Sequence, residues 1–165
     1  MAIAITSIGT VVTYAIGKLD ENKKPPRTGH KVIPGIKEIP DMNPTPETGE
    51  TTSMDNLEYR TYVPLLKDLG GSLAFTANLT QELYDLWNGE NGIMAQWEEA
   101  KKAGNEMFLC INIKGLSNSC YLSVQPSNFG MPALSTNSVA EHTIYFTPLG
   151  EPIWADDPEE PTTGA

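Results

Sequence analysis

The chain has 165 residues, 11 of them basic and 21 acidic, for a net charge of −10 at neutral pH. That length suits one domain whose core is large enough to do without disulfide staples. The acidity argues against tight charge-driven binding of nucleic acid, which requires a cationic surface to neutralise phosphates. Cys110 and Cys120, the two cysteines, lie in apolar, strand-like runs; they read as buried free thiols of a protein made in a reducing compartment rather than as a disulfide framework.

The N-terminal stretch MAIAITSIGTVVTYAI has no basic leader, is broken by Thr6, Ser7, Gly9 and Thr10, and turns to period-two alternation. Neither a signal peptide nor a membrane span is expected, and the protein should be soluble. Thr10 to Ile16, rich in β-branched and aromatic residues, predicts a strand, and the polar loop after it contains Pro25, Pro26 and Gly29. KVIPGIKEI predicts a second, short extended segment, which Pro34 demotes to an edge or bulged strand. Three prolines and a glycine then crowd PDMNPTPETGETTS, where Met42 is the only large apolar residue. A loop of that length inside a folded domain is usually functional or disordered.

GSLAFTANL alternates Leu73, Phe75, Ala77 and Leu79 against polar or small residues, the pattern of a half-buried strand. The period changes after it. Leu79, Leu83, Leu86 and Trp87, then Ile93, Trp97 and Ala100, recur at helical spacing, with Asn78 or Thr80 as N-cap and Gly104 as stop. NGENG, residues 88–92, splits the stretch into two helical pieces. EMFLCINIKG and SCYLSVQPS predict a hairpin around LSNS, and SVAEHTIYFTPLG supplies a further strand. Strands, one helical excursion and more strands predict a mostly-β, α+β domain over residues 1–154. The acidic, proline-rich end, residues 155–165, is expected to be a disordered tail.

The charges are segregated. Residues 18–37 carry Lys18, Lys23, Lys24, Arg27, Lys31 and Lys37 against Asp20 and Glu21, whereas residues 41–58 carry Asp41, Glu47, Glu50, Asp55 and Glu58 with no base. A basic segment thus abuts an acidic one. No motif for catalysis accompanies them. His30 and His142 lack the ligand spacing of a metal site, and Cys110 sits in FLCINI, where a thiol is packing material rather than a nucleophile beside His142. Glu98 and Glu99 are neighbours on a helix and do not face one another. There is no Walker loop, no dinucleotide fingerprint and no nucleophile elbow. No enzyme and no cofactor is expected.

Several pieces in order do carry a resemblance: VIPGIKEIPD, an acidic Thr-rich loop leading into TTSMDNLEYRTYVPLLKDLGGSLAFTANL, a Trp-containing helical stretch, two central strands, and a last strand closing in YFTPLGEPIW. From Gly9 to Trp154 this resembles the major tail tube proteins of long-tailed bacteriophages and prophages, most of all in YVPLLKDLGGSLAF. The resemblance implies a β-sandwich or barrel-like core with one flanking helical segment and a long protruding loop. It also implies a structural virion protein whose homo-oligomeric, hexameric rings stack into a hollow channel for DNA delivery, assembled in the host bacterial cytoplasm. The partners so implied are further copies of the chain, tape measure and tail-end proteins, and DNA in transit without specific binding; no membrane is involved. The loop from about Asp41 to Tyr62 corresponds to the family's arm between subunits and rings. Glu47, Glu50, Thr51, Asp55, Leu57, Tyr59 and Tyr62 are the expected contacts there, with Lys18, Lys23, Lys24, Arg27 and Lys31 as a basic counterpart on a neighbour. Glu38, Glu106 and Glu141, within or beside predicted strands, are expected to make the channel wall acidic. The alternative is a non-catalytic module working as a discrete ring or monomer, such as a tail terminator, a connector or a carbohydrate-binding sandwich.

Overall fold

The β-branched run near the N-terminus forms strand β1, Val11–Gly17, in a computed structural model that describes residues 4–43, 48–55, 58–60, 62–64, 71–159 and 162–163. The chain divides into two units, residues 41–71 and the remainder. The larger unit holds β2 (Lys31–Val32), β3 (Ile36–Glu38), β6 (Leu73–Asn78), β7 (Glu106–Asn112), β8 (Asn118–Pro126), β9 (Glu141–Pro148), β10 (Ile153–Asp156) and β11 (Thr162–Thr163). Helices α1 (Gln81–Asn88) and α2 (Ile93–Ala103) complete it. The smaller unit holds β4 (Thr48–Glu50) and β5 (Tyr62–Pro64). The fold is mostly β with one helical excursion, an α+β class as expected.

The large sheet runs in the order β11-β2-β1-β7-β8-β9-β6-β3, with β10 also paired to β8. β2 and β3 stand near opposite ends of this order, yet residues 33–35 are all that separates them in sequence. In a flat sheet, with strands about 4.8 Å apart, they would lie roughly 29 Å from one another. Four peptide steps from Val32 to Ile36 reach at most about 15 Å. The sheet therefore curls until its two ends approach, and the short KVIPGIKEI segment bridges the seam. Gly35, with φ of +73°, takes a left-handed turn that other residues resist, and the register of β3 on β6 shifts between Ile36 and Glu38. Pro34-Gly35 thus interrupts the extended segment, as predicted, and sends its two halves to different partners.

Cross-strand registers define which side chains share a face. Tyr14, Leu109 and Leu122 lie opposite one another, as do Phe75 and Ile144; all are buried, on the face packed against the helices. From α1, Leu83 and Trp87 bury into this core, and from α2, Ile93, Trp97 and Ala100. Thr80 caps α1 by accepting from the Leu83 amide at 3.1 Å, and Gly104 ends α2 in the left-handed conformation. Trp87 donates from Nε1 to the Ser127 carbonyl at 2.9 Å, fixing the start of the β8–β9 loop.

Beyond residue 154 the chain does not end its pairing. β10 continues through Ala155 and Asp156, Tyr121 donates to the Asp156 carbonyl at 2.6 Å, and Ser119 donates to Asp157 Oδ1 at 2.7 Å. Arg27 Nε donates to the Asp157 carbonyl, the Glu159 amide donates back to the Arg27 carbonyl, both at 2.9 Å, and β11 pairs parallel with β2. The expectation of a tail without structure rested on its lack of apolar anchors. These contacts are made instead through main-chain groups, which composition does not reveal.

Candidate assembly surfaces

The smaller unit is a two-stranded hairpin with register Thr48↔Pro64, Gly49↔Val63 and Glu50↔Tyr62. It carries Glu50, Thr51, Asp55, Tyr59 and Tyr62 from the expected contact set; Glu47 and Leu57 lie outside the described residues. Tyr59 is 75% exposed and Tyr62 53%, so neither ring is spent on a core. Glu50 faces Arg60 at 3.9 Å, an exposed pair of little energetic weight. Ser53 donates to the Asp55 carboxylate; that bond, followed by the Asp55 backbone amide, holds its pKa below the usual value. A lone two-stranded hairpin is marginal in water, and one with exposed tyrosines has the composition of a contact surface.

The basic segment divides into two kinds of residue. Lys18, Lys23, Lys24 and Arg27 are exposed and Lys31 is half-buried. Asp20 accepts from the Asn22 and Lys24 amides, both at 2.8 Å, building a turn that leaves Lys23 at φ +58°. Arg27 is engaged through Nε with the Asp157 carbonyl of its own chain.

Of the three acids expected on a channel wall, two share a surface. Glu38 opposes Thr76 and Glu141 opposes Asn78, and alternate residues of a strand lie on one face. With Ala74, Thr143 and Tyr145 they form a polar, uncovered sector of the sheet; Lys37 forms an ion pair with Glu141 across it. Glu106 opposes Gly17 at the start of β7, in another sector.

The titratable groups of the core are packed rather than poised. His30 Nε2 donates to the Pro26 carbonyl at 2.8 Å, so in the neutral ring Nδ1 accepts from the Thr13 hydroxyl at 3.1 Å. His142 stacks on Phe129 with centroids 3.9 Å apart, and its Nδ1 has no hydrogen-bond partner among the described residues. Burial lowers the pKa of both histidines. Burial pushes the Cys110 thiol up to about 11, although hydrogen bonds from Thr13, Ser119 and Tyr121 oppose the shift, and it raises Cys120 as well. Neither thiol has the character of a nucleophile. An open cleft of about 420 Å³ lies between residues 128–133 and β9, lined among others by Met131, Glu141 and Tyr145. Among the described residues no three His, Cys, Asp or Glu side chains group into a metal site, and no helix is long and apolar enough to cross a membrane.

Sequence reasoning passed over the loop of residues 127–140. Its signal is present in the sequence: fourteen residues without a charge, holding Met131, Leu134 and Val139, all three exposed.

This curled sheet with a helical flank is a fold shared with subunits of large symmetric particles. A chain of the sixfold-symmetrised baseplate of the anti-feeding prophage (AFP) matches with a TM-score of 0.65 at 13% identity, over 94% of this chain and 98% of that one. A chain in the tail of the empty GTA particle, of C6 symmetry, matches with a TM-score of 0.56 at 12% identity, over 92% and 99% respectively. No family model and no curated protein sequence matches. The likeness is one of fold, and it spans both chains nearly end to end.

Proposed function

We propose that this chain is a non-catalytic structural subunit of a phage-derived tail. Its copies form rings, sixfold by analogy with the two particles, that stack into a tube of the virion tail with a central channel. The observation that carries the reading is the near-complete mutual coverage with subunits of two sixfold particles. The hairpin unit is the assembly arm in this reading. Tyr59, Tyr62 and Leu57 bury area against a neighbour, while Glu47, Glu50, Thr51 and Asp55 set register toward Lys18, Lys23, Lys24 and Lys31 of that neighbour. Arg27, engaged with its own Asp157, takes a smaller part than its charge suggests. The sector bearing Glu38 and Glu141 faces the channel, where a mildly acidic wall lets DNA slide without electrostatic traps. Tape measure and tail-end proteins are the further partners.

Electron microscopy of the purified protein tests this. Hollow filaments are the expected product; discrete rings alone would favour a terminator, connector or baseplate-type role, for which the origin of the AFP match speaks. Deleting residues 44–53 should leave a folded protein that does not polymerise. Reversing Glu47 and Glu50 to lysine should slow growth, most at low salt where screening is weakest. Tubes of normal length from the deletion variant would remove the arm from the mechanism.

A further inference from the structure

The dipeptides Pro-Glu and Thr-Thr each occur twice in the chain, and both times together. Pro46-Glu47-Thr48-Gly49-Glu50-Thr51-Thr52 belongs to the hairpin segment, and Pro158-Glu159-Glu160-Pro161-Thr162-Thr163 stands near the C-terminus. Each run places two glutamates ahead of a threonine pair and contains no basic residue. Each also supplies a strand, β4 (Thr48–Glu50) in the first and β11 (Thr162–Thr163) in the second.

β11 lies where the large sheet would otherwise end. β2 pairs antiparallel with β1 through Thr13↔Val32 and Tyr14↔Lys31, and its other edge is taken by β11 through Thr162↔Lys31 and Thr163↔Val32. An uncovered edge is a row of unspent amides and carbonyls that invites another strand. The cover here is slight: two residues of pairing and, ahead of them, the Glu159 amide donating to the Arg27 carbonyl at 2.9 Å. Asp157 is tied down more firmly, by Ser119 on its carboxylate and Arg27 on its carbonyl. The chain after Asp157 is thus a short strap on a fixed hinge. Main-chain bonds hold it, and an incoming strand can replace them one for one. The strap brings an acidic run to the segment that carries Arg27 and Lys31.

We propose, on the reading above that the hairpin is the assembly arm, that this strap stands in for the arm: it closes the β2 edge in the free subunit, and β4 of a second copy displaces it on assembly. Among the described residues β4 pairs only with β5, so its second edge has main-chain groups to offer. Pairing on β2 turns a marginal two-stranded ribbon into the margin of a larger sheet. The shared residue set and the charge point to a second copy as the occupant, because the acidic arm then meets the basic segment that the acidic strap meets in cis. Asp157 keeps Arg27 throughout, and Lys31 changes partner. A site that is closed most of the time lowers the apparent affinity of the arm by the fraction that is open. Free subunits therefore associate slowly, while a growing end that presents several arms at once overcomes the strap.

Growth of filaments followed by light scattering tests this on the full chain and two variants, with circular dichroism and thermal melting as the check on folding. A chain ending at Pro158 keeps the bonds of Asp156 and Asp157 and lacks the strap. Thr162→Pro with Thr163→Pro keeps every charge and the full length but cannot donate to a strand pairing at these positions. Both should shorten the lag before growth severalfold, and hydrogen exchange should show the β2 segment losing protection in the unassembled variants. Deleting residues 44–53 from the shortened chain should abolish growth. Equal lags in the wild type and both variants would overturn the proposal. So would a shorter lag in the shortened chain alone, which would make the effect one of net charge, or filaments from the shortened chain without its arm, which would give the freed edge another occupant. With filaments from the wild type, and none from the full-length chain lacking residues 44–53, each of these results overturns the inference only. A wild type and a shortened chain that both stay monomeric overturn the assembly reading with it.

Discussion

The two halves of the curled sheet are built from the same strand geometry and end in different surfaces. In β7 and β8 burial is continuous, from Met107 to Ile111 and from Ser119 to Val124, and Val12 to Ala15 of β1 follow suit. In β6 and β9 it alternates: Leu73, Phe75 and Ala77, and His142, Ile144 and Phe146, are buried, while Ala74 and Tyr145 are exposed. The helices cover one face of both halves. The second face of the first half is closed by segments remote in sequence, through His30 on Thr13 and Tyr121 and through Asp156 and Asp157 on Tyr121 and Ser119. The second face of the other half is left to solvent or to a neighbour. A strand buried on both faces reads as a continuous apolar run, and one buried on a single face reads as an alternation; the difference marks where the sheet is covered on both faces and where it is covered on one.

The sharpest way to break this comparison is to truncate one ring in each half on the same second face. Phe108 opposes Ala15 and Ser123 and is buried, so Phe108→Ala should cost about 3–5 kcal/mol. Tyr145→Ala, in the open sector, should change stability by about 0.5 kcal/mol or less. Urea unfolding midpoints at constant slope measure both; similar losses would mean that the second faces are covered alike.

Each half also buries one histidine, and the two should respond differently. His30→Leu removes hydrogen bonds to Thr13 and Pro26 and should cost about 1–3 kcal/mol, whereas His142→Leu, at a site where Nδ1 has no partner among the described residues, should be close to neutral. Both folded-state pKa values are depressed by burial, so the unfolded chain binds more protons below its own histidine pKa of about 6.5. Their contribution to stability is therefore complete above about pH 6.5 and is lost as pH falls through the lower folded value. Subtracting the pH–stability profile of each variant from that of the wild type should show this slope; a flat difference for His30 would contradict its neutral, donating geometry.

A more modest loss than those at Phe108 and His30 concerns the flank of the single-sided half. Thr80→Ala removes the acceptor of the Leu83 amide at the start of α1 and should cost about 1 kcal/mol. A loss confined to thermal stability, with assembly intact, would show that α1 supports the core and takes no part in contacts between copies.

Much of this was legible before any coordinates. The strands around Tyr14, Phe75, Leu109, Leu122 and Ile144, the two helices with Thr80 and Gly104 at their limits, and the split at residues 88–92 follow from periodicity and capping, which act over a few neighbouring residues. The closure of the sheet by three residues at Pro34-Gly35, the pairing of Ala155–Asp156 and of Thr162–Thr163, and the engagement of Arg27 by Asp157 depended on tertiary structure. They join residues far apart in the chain, through backbone groups that every sequence possesses. Local pattern determined which residues had to be buried; only the folded chain decided which faces remained open, because exposure is set by what comes from elsewhere to cover a surface.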